Sequence, residues 1–109
     1  MNLTLNEKES EKDTERYLIK KVKEVGGKCF KFNSVNMRGV PDRLCFLPHG
    51  IVALVEIKSE GKDLTPLQEL CFSELNKLGH YIAVVDTKKD VDTFIGEFNE
   101  RIRNLKEAE

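Results

Sequence analysis

The chain has 109 residues, of which 39% are hydrophobic and 34% charged, with a formal net charge of −1; this fits one domain with a modest core and excludes a disordered chain. No apolar run reaches the length of a membrane span, and the opening MNLTLNEKES lacks the basic and apolar regions of a secretory signal, so a cytoplasmic protein with no membrane partner is expected. A near-neutral charge gives no global attraction to nucleic acid, so any such binding must come from a local basic patch or from a metal bridging to phosphate.

Cys29, Cys45 and Cys71 are odd in number and far apart in sequence, which gives neither a disulfide framework nor a zinc-ligand spacing. Buried free thiols are expected. Residues 1–6 read as a lead, followed by a charged helix from about Glu7 to Val25 that Gly26 and Gly27 close. Leu18, Val22 and Val25 form its seam, and Glu15, three residues before Leu18, falls on the same seam, facing the core side or extending from its edge into water.

Lys28 to Phe32 alternates as a short strand, with Phe30 and Phe32 on one face and Cys29 and Lys31 on the other. Lys31 is either a solvated edge charge or a phosphate contact. The polar segment NSVNMRG carries Arg38 and is a natural place for substrate to approach; Gly39 frees the backbone, and Pro41 keeps Val40 extended.

From Gly39 to Lys58 the chain reads GVPDRLCFLPHGIVALVEIK, two apolar strands joined by Pro48, His49 and Gly50. A three-residue hairpin loop pairs Leu47 with Ile51, puts Leu44 opposite Leu54, and brings Asp42 opposite Glu56. A bulge at Gly50 would slip this register by one and send Asp42 to the other face. In the unslipped register two like charges stand about 4.5–5.5 Å apart at Cβ, which destabilises a sheet unless something compensates, as a divalent cation would. Lys58, two residues after Glu56, points to the same face.

Ser59 to Leu64 is a polar connection containing Lys62, and Thr65-Pro66 with Gln68 at the third helical position forms a T-x-x-Q capping box. Leu67, Leu70, Cys71, Leu75 and Leu78 are the expected buried face of this helix, which Gly79 ends. Tyr81 to Val85 is a buried strand, parallel to the strand ending at Lys58 because a helix separates them. Asp86 to Asp90 reads as a turn, and a last helix from about Val91 to Leu105 carries the stripe Val91, Phe94, Ile95, Phe98, Ile102 and Leu105. The expected class is α/β, in the order α-β-β-β-α-β-α, with helices packed on a mixed sheet.

Two carboxylates and an ammonium at one end of an apolar ribbon offer hard oxygen ligands, which favours Mg²⁺ or Mn²⁺ over zinc. Such a cation acidifies water and neutralises charge developing on a phosphate, with Lys58 placed to position or deprotonate the water. Taken alone, E-x-K is better explained by a salt-bridged hairpin end. The combination of Pro41-Asp42, Glu56-Ile57-Lys58 and an acid in a preceding helix is more specific, and it resembles the PD-(D/E)xK nuclease superfamily, within it the VRR-NUC (virus-type replication and repair nuclease) domain family.

The resemblance rests on Glu15, Gly26-Gly27 with Lys31, Gly39-Val40-Pro41-Asp42-Arg43, Glu56-Ile57-Lys58, Thr65-Pro66 with Gln68, and Gly79. It implies a restriction-endonuclease-like core, metal held by Asp42, Glu56 and the Ile57 backbone carbonyl, Lys58 as catalytic lysine, Gln68 as a helper, and Glu15 reaching the metal through water. Phe72 stands where some relatives carry tyrosine, so no hydroxyl role is assigned there. The resemblance further implies a compact stand-alone protein of the phage or bacterial type, a homodimer that cuts branched DNA such as four-way junctions. Lys31, Arg38, Arg43 and Lys62, with Lys88 and Lys89, are the candidate phosphate contacts. The competing expectations are a catalytically weak DNA-binding or assembly module on the same fold, a nickase on duplex DNA, and a purely structural ion-pair site.

Overall fold

The computed structural model describes residues 8–33 and 38–108, so the expected lead, the helix start at Glu7 and most of the polar loop before Gly39 lie outside the described residues. The elements are α1 (Glu11–Glu24), β1 (Lys28–Lys31), β2 (Arg43–Leu47), β3 (Ile51–Ile57), α2 (Pro66–Lys77), β4 (Tyr81–Val85) and α3 (Lys88–Glu107), in the expected α-β-β-β-α-β-α order. They build a mixed α/β fold whose four-stranded sheet runs β1-β2-β3-β4. The first two pairings are antiparallel, and β3/β4, joined through α2, is parallel as expected.

The hairpin keeps the unslipped register, Leu47 opposite Ile51 and Leu44 opposite Leu54. Its loop is a 3₁₀ turn over Pro48–Gly50, where His49 and Gly50 take φ of 65° and 72° to reverse the chain. Every pairing joins even-numbered to even-numbered residues and odd to odd. Because side chains alternate along a strand, the sheet therefore sorts the sequence by parity. Cys45, Leu47, Ala53, Val55, Ile57, Tyr81 and Val85 face the main core with Leu18 and Val22 of α1 and Val91, Phe94, Ile95 and Phe98 of α3. The even face is left to α2 and to the charged residues.

Four expectations shift. α1 begins after Ser10, whose side chain accepts the Asp13 N–H, so residues 8–10 of the expected helix lie outside it. Glu9 is committed elsewhere: its N–H donates to Glu60 and its carboxylate accepts the Lys88 N–H, which ties the start of α1 to α3 and to the connection after β3. α3 begins at Lys88, not Val91, because Thr87 is its N-cap and accepts the Asp90 N–H. On α2 the expected buried face is wrong in its direction. Phe72 is the buried residue, Cys71 and Leu75 are half-buried, and Leu67, Leu70 and Leu78 are exposed. The stripe through residues 68, 72 and 75 faces the sheet instead, with Gln68 held at once by the capping box and by Glu56. Lastly, of the expected buried thiols only Cys45 is buried, Cys29 and Cys71 being half-buried; all three are free, and the Cys29 and Cys45 sulfurs stand 3.6 Å apart across β1 and β2.

Among the described residues no helix is long and apolar enough to cross a membrane. The turn after α1 is close-packed: a Cβ on Gly27 would lie 2.7 Å from the Phe46 carbonyl oxygen and 3.0 Å from Val22. Backbone cannot yield as a flexible side chain does, so Gly27→Ala should destabilise the fold by about 1–3 kcal/mol, read as a lower melting temperature. An unchanged melting temperature would mean that α1 does not dock on β2 as described.

Candidate active site

Arg43 opposite Val55 is the last paired step of the hairpin, and continuing the register brings Asp42 level with Glu56 and Pro41 level with Ile57. The Phe32 N–H donates to the Asp42 carbonyl at 2.7 Å, so the Asp42 backbone faces β1. Its position against Glu56 is then of the non-hydrogen-bonded kind, in which opposed side chains come closest. On the other side of β3 the Lys58 N–H donates to the Val85 carbonyl at 2.9 Å, which leaves the amide and carbonyl of Ile57 pointing toward β2. There Pro41 has no N–H to offer that carbonyl. Two carboxylates and the Ile57 carbonyl thus share one end of the hairpin.

Glu56 is only 6% exposed. Gln68 Nε2 donates to its Oε2 at 3.1 Å, and Lys58 Nζ stands 4.0 Å from the same oxygen. The other oxygen, Oε1, is buried with no hydrogen-bond partner, and so is Oδ1 of Asp42. Burial, and after it the charge of Asp42, pushes the Glu56 carboxyl up to about 7; burial likewise raises Asp42 against the pull of the Ile57 N–H and Arg43. Buried carboxylate oxygens without donors are costly, and a divalent cation between them would relieve both desolvation and repulsion. The residues fit such an ion. Among the described residues no third His, Cys, Asp or Glu joins a metal cluster, a sparse donor set of the kind that Mg²⁺ completes with water and phosphate oxygens.

The approach of α2 is what brings Gln68 to Glu56. Gly39, at φ 85°, lies under the start of that helix, where a Cβ would come within 2.9 Å of the Leu67 carbonyl oxygen. Glu15 on α1 is drawn to Arg43: its Oε2 accepts from Arg43 Nη2 at 2.8 Å. Arg43, expected to touch phosphate, is only 8% exposed and faces α1, so this ion pair fixes α1 to the strand residue next to Asp42. Parity carries the signal, since adjacent residues Asp42 and Arg43 must point to opposite faces. Glu11, one helical turn before Glu15, is the α1 acid whose charge is felt at Asp42, and sequence reading missed it. Lys31, Arg38, Lys62, Lys88 and Lys89 are all exposed.

An acid at the start of one strand, an E-x-K at the end of its antiparallel neighbour and a glutamine on the crossover helix define the PD-(D/E)xK class of nuclease folds. A sequence model of the VRR-NUC domain matches residues 1–89, and the chain belongs to that family. It is 41% identical over 78 residues, 72% of this chain and 84% of the relative, to "Putative nuclease p44" of Acyrthosiphon pisum secondary endosymbiont phage 1. A solved structure described as a VRR_NUC domain superposes with a TM-score of 0.75 at 28% identity, covering 81% of this chain and 97% of that one. The protein is a nuclease-family domain.

The raised Glu56 carboxyl sets a pH dependence for metal-free protein. Below about pH 4.5 folded and unfolded chains both hold the Glu56 proton; between there and about 7 only the folded chain holds it, so stability from this site falls as pH rises through that window. Urea melts in EDTA at pH 5 and pH 8 should show this fall, and Glu56→Gln should flatten it. Equal slopes in both proteins would rule out the buried acid pair.

Proposed function

We propose that the protein is a divalent-metal-dependent endodeoxyribonuclease that hydrolyses phosphodiesters, with Mg²⁺ or Mn²⁺ held by Asp42, Glu56 and the Ile57 carbonyl. The observation that carries this reading is the pair of buried, unpartnered oxygens, Asp42 Oδ1 and Glu56 Oε1, on adjacent strands beside Lys58. A bound cation supplies Lewis-acid stabilisation of charge developing on the phosphoryl group and lowers the pKa of water at the site. Lys58 orients the attacking water and moves its proton, or offsets the developing negative charge. Gln68 holds Glu56 Oε2 in place so that Oε1 stays turned to the ion. The Glu15–Arg43 pair holds the strand entry at Asp42 in a similar supporting role.

The finer reading is a homodimer acting on branched DNA, four-way junctions in particular. It rests on the family resemblance, with the exposed Leu67, Leu70 and Leu78 of α2 as apolar surface for a second copy and Lys31, Arg38 and Lys62 as solvent-facing phosphate contacts. The second reading, a DNA-binding module with weak catalysis, is opposed by the completeness of the set, since a binding module has no use for Asp42, Glu56 and Lys58 together.

The test is cleavage of end-labelled four-way junction, flap and plain duplex DNA with Mg²⁺, Mn²⁺ or EDTA. Lys58→Ala should lower cleavage roughly 10²- to 10⁴-fold while leaving the fold intact. DNA bound but uncut by the wild type under all metals would overturn the nuclease reading, and light scattering that shows only monomer would remove the dimer.

Metal binding has its own readout. Mn²⁺ should raise the melting temperature of the wild type, by about 2.7 kcal/mol of stabilisation at a hundredfold excess over Kd. Asp42→Asn should be more stable than wild type in EDTA, because it removes the like charge, yet gain nothing from Mn²⁺. Equal Mn²⁺ shifts in both proteins would remove Asp42 from the metal site.

A further inference from the structure

The face of the sheet that carries the acid pair extends beyond the hydrolytic site. Phe30 on β1 is 51% exposed and Phe46 on β2 is 44% exposed, with the exposed Val52 opposite Phe46. Side chains of this size and polarity are normally buried. The two rings meet edge to face, with centroids 5.7 Å apart and planes at 73°. Lys28 stands opposite Phe46 on this same even face, and Phe30 stands opposite Leu44. One step further along β1, the Phe32 N–H bonds the Asp42 carbonyl. The aromatic pair therefore begins two residues, roughly 7 Å of strand, from the row that holds Asp42 and Glu56. At the outer edge of β1 a groove of about 260 Å³ is lined by Ile19, Lys23, Lys28 and Phe30, among others.

We propose that Phe30 and Phe46 form a stacking platform for unpaired nucleobases of the substrate strand, with Lys23 and Lys28 beside it on the phosphates. The proposal rests on the nuclease reading above and deepens it, because it makes a single-stranded segment next to the scissile bond the feature that the site selects. A substrate strand whose phosphate reaches Asp42 and Glu56 and which runs toward Lys28 passes over this face of the sheet. Paired bases present only their edges, since their π-faces are occupied by neighbours in the stack. An exposed aromatic next to the cut site therefore rewards bases that are splayed or unpaired, whatever their sequence.

A second copy of the chain is the competing occupant. About half of each of two phenylalanine side chains, with part of one valine, supplies a few hundred Å² at most, where a stable interface needs about 800 Å² from each partner. A twofold contact centred here would also bring Lys23 and Lys28 of both copies together, whereas a phosphate backbone neutralises them.

The chain has no tryptophan, so Phe46→Trp installs a single fluorescent reporter on the platform. Titrated with oligothymidylate in EDTA, where no cutting occurs, this variant should lose fluorescence as a base stacks on the indole, also when Lys58→Ala is added. In the otherwise wild-type protein, Phe30→Ala and Phe46→Ala should each weaken oligothymidylate binding roughly 5- to 150-fold. Both should also lower cutting of splayed-arm DNA relative to plain duplex, and Phe30→Tyr should restore it. Lys28→Ala should make the slope of log affinity against log salt shallower by about 0.7.

Quenching without any cleavage would leave the platform standing and remove the nuclease reading. Normal cleavage without quenching, and with an unchanged splayed-to-duplex ratio in both alanine variants, would overturn the platform. A dimer that dissociates in Phe30→Ala with unchanged oligothymidylate affinity would assign the face to a second copy and overturn it equally.

Discussion

Two carboxylates at a non-hydrogen-bonded position of an antiparallel hairpin repel each other, and the rest of the structure is arranged so that they stay there. The tight Pro48–Gly50 turn and the apolar pairs from Leu44/Leu54 to Leu47/Ile51 hold the register. A slip of that register by one residue would move the odd-numbered core residues into water, so the core holds the strands that carry the acids in place. Hydrophobic burial on one side of the sheet therefore offsets electrostatic strain on the other. An ion bound between the acids would remove that strain, so the hairpin register and the proposed metal site share a single position.

The supporting groups divide the work by face. On the odd side Arg43 reaches Glu15 and couples the first helix to the strand entry; on the even side Gln68 reaches Glu56 and couples the crossover helix to the strand exit. Each contact uses a charged or amide group that has a second structural task, seam residue or helix cap. Both are buried or half-buried enough for their hydrogen bonds to count. Gly39 completes the arrangement by letting the backbone before Asp42 pass under α2.

The even face combines three surfaces with different physics: the acid pair, the α2 contact through Phe72, and the open aromatic pair beyond. A sheet with helices on both sides normally has both faces covered. Here a crossover helix of 12 residues covers part of one face, and the uncovered part adjoins the reactive end. The acid pair, the groups that position it and the open aromatic pair lie along one strand direction.

Most of this arrangement was written in local signals. Loop length fixed the hairpin register, and with it the meeting of Asp42, Glu56 and Lys58; the T-x-x-Q box fixed the start of α2; a helix between two strands fixed their parallel pairing. Parity along β2 already stated that Asp42 and Arg43 diverge. What local pattern could not settle was whatever depends on a partner from elsewhere in the chain. α1 starts late because Glu9 serves α3 and the Glu60 connection. α2 turns Gln68 and Phe72 toward the sheet and Leu67 and Leu70 outward, an orientation that the contact of Gln68 with Glu56 across the fold accompanies and that apolar spacing within the helix did not show. Cys29 meets Cys45, and Glu15 meets Arg43, only once β1 lies beside β2 and α1 docks across them. The sequence by itself determined the elements, their order and the acid pair; the tertiary structure decided which side chains each element could turn toward its neighbours, because orientation is set by the strongest contact available after packing.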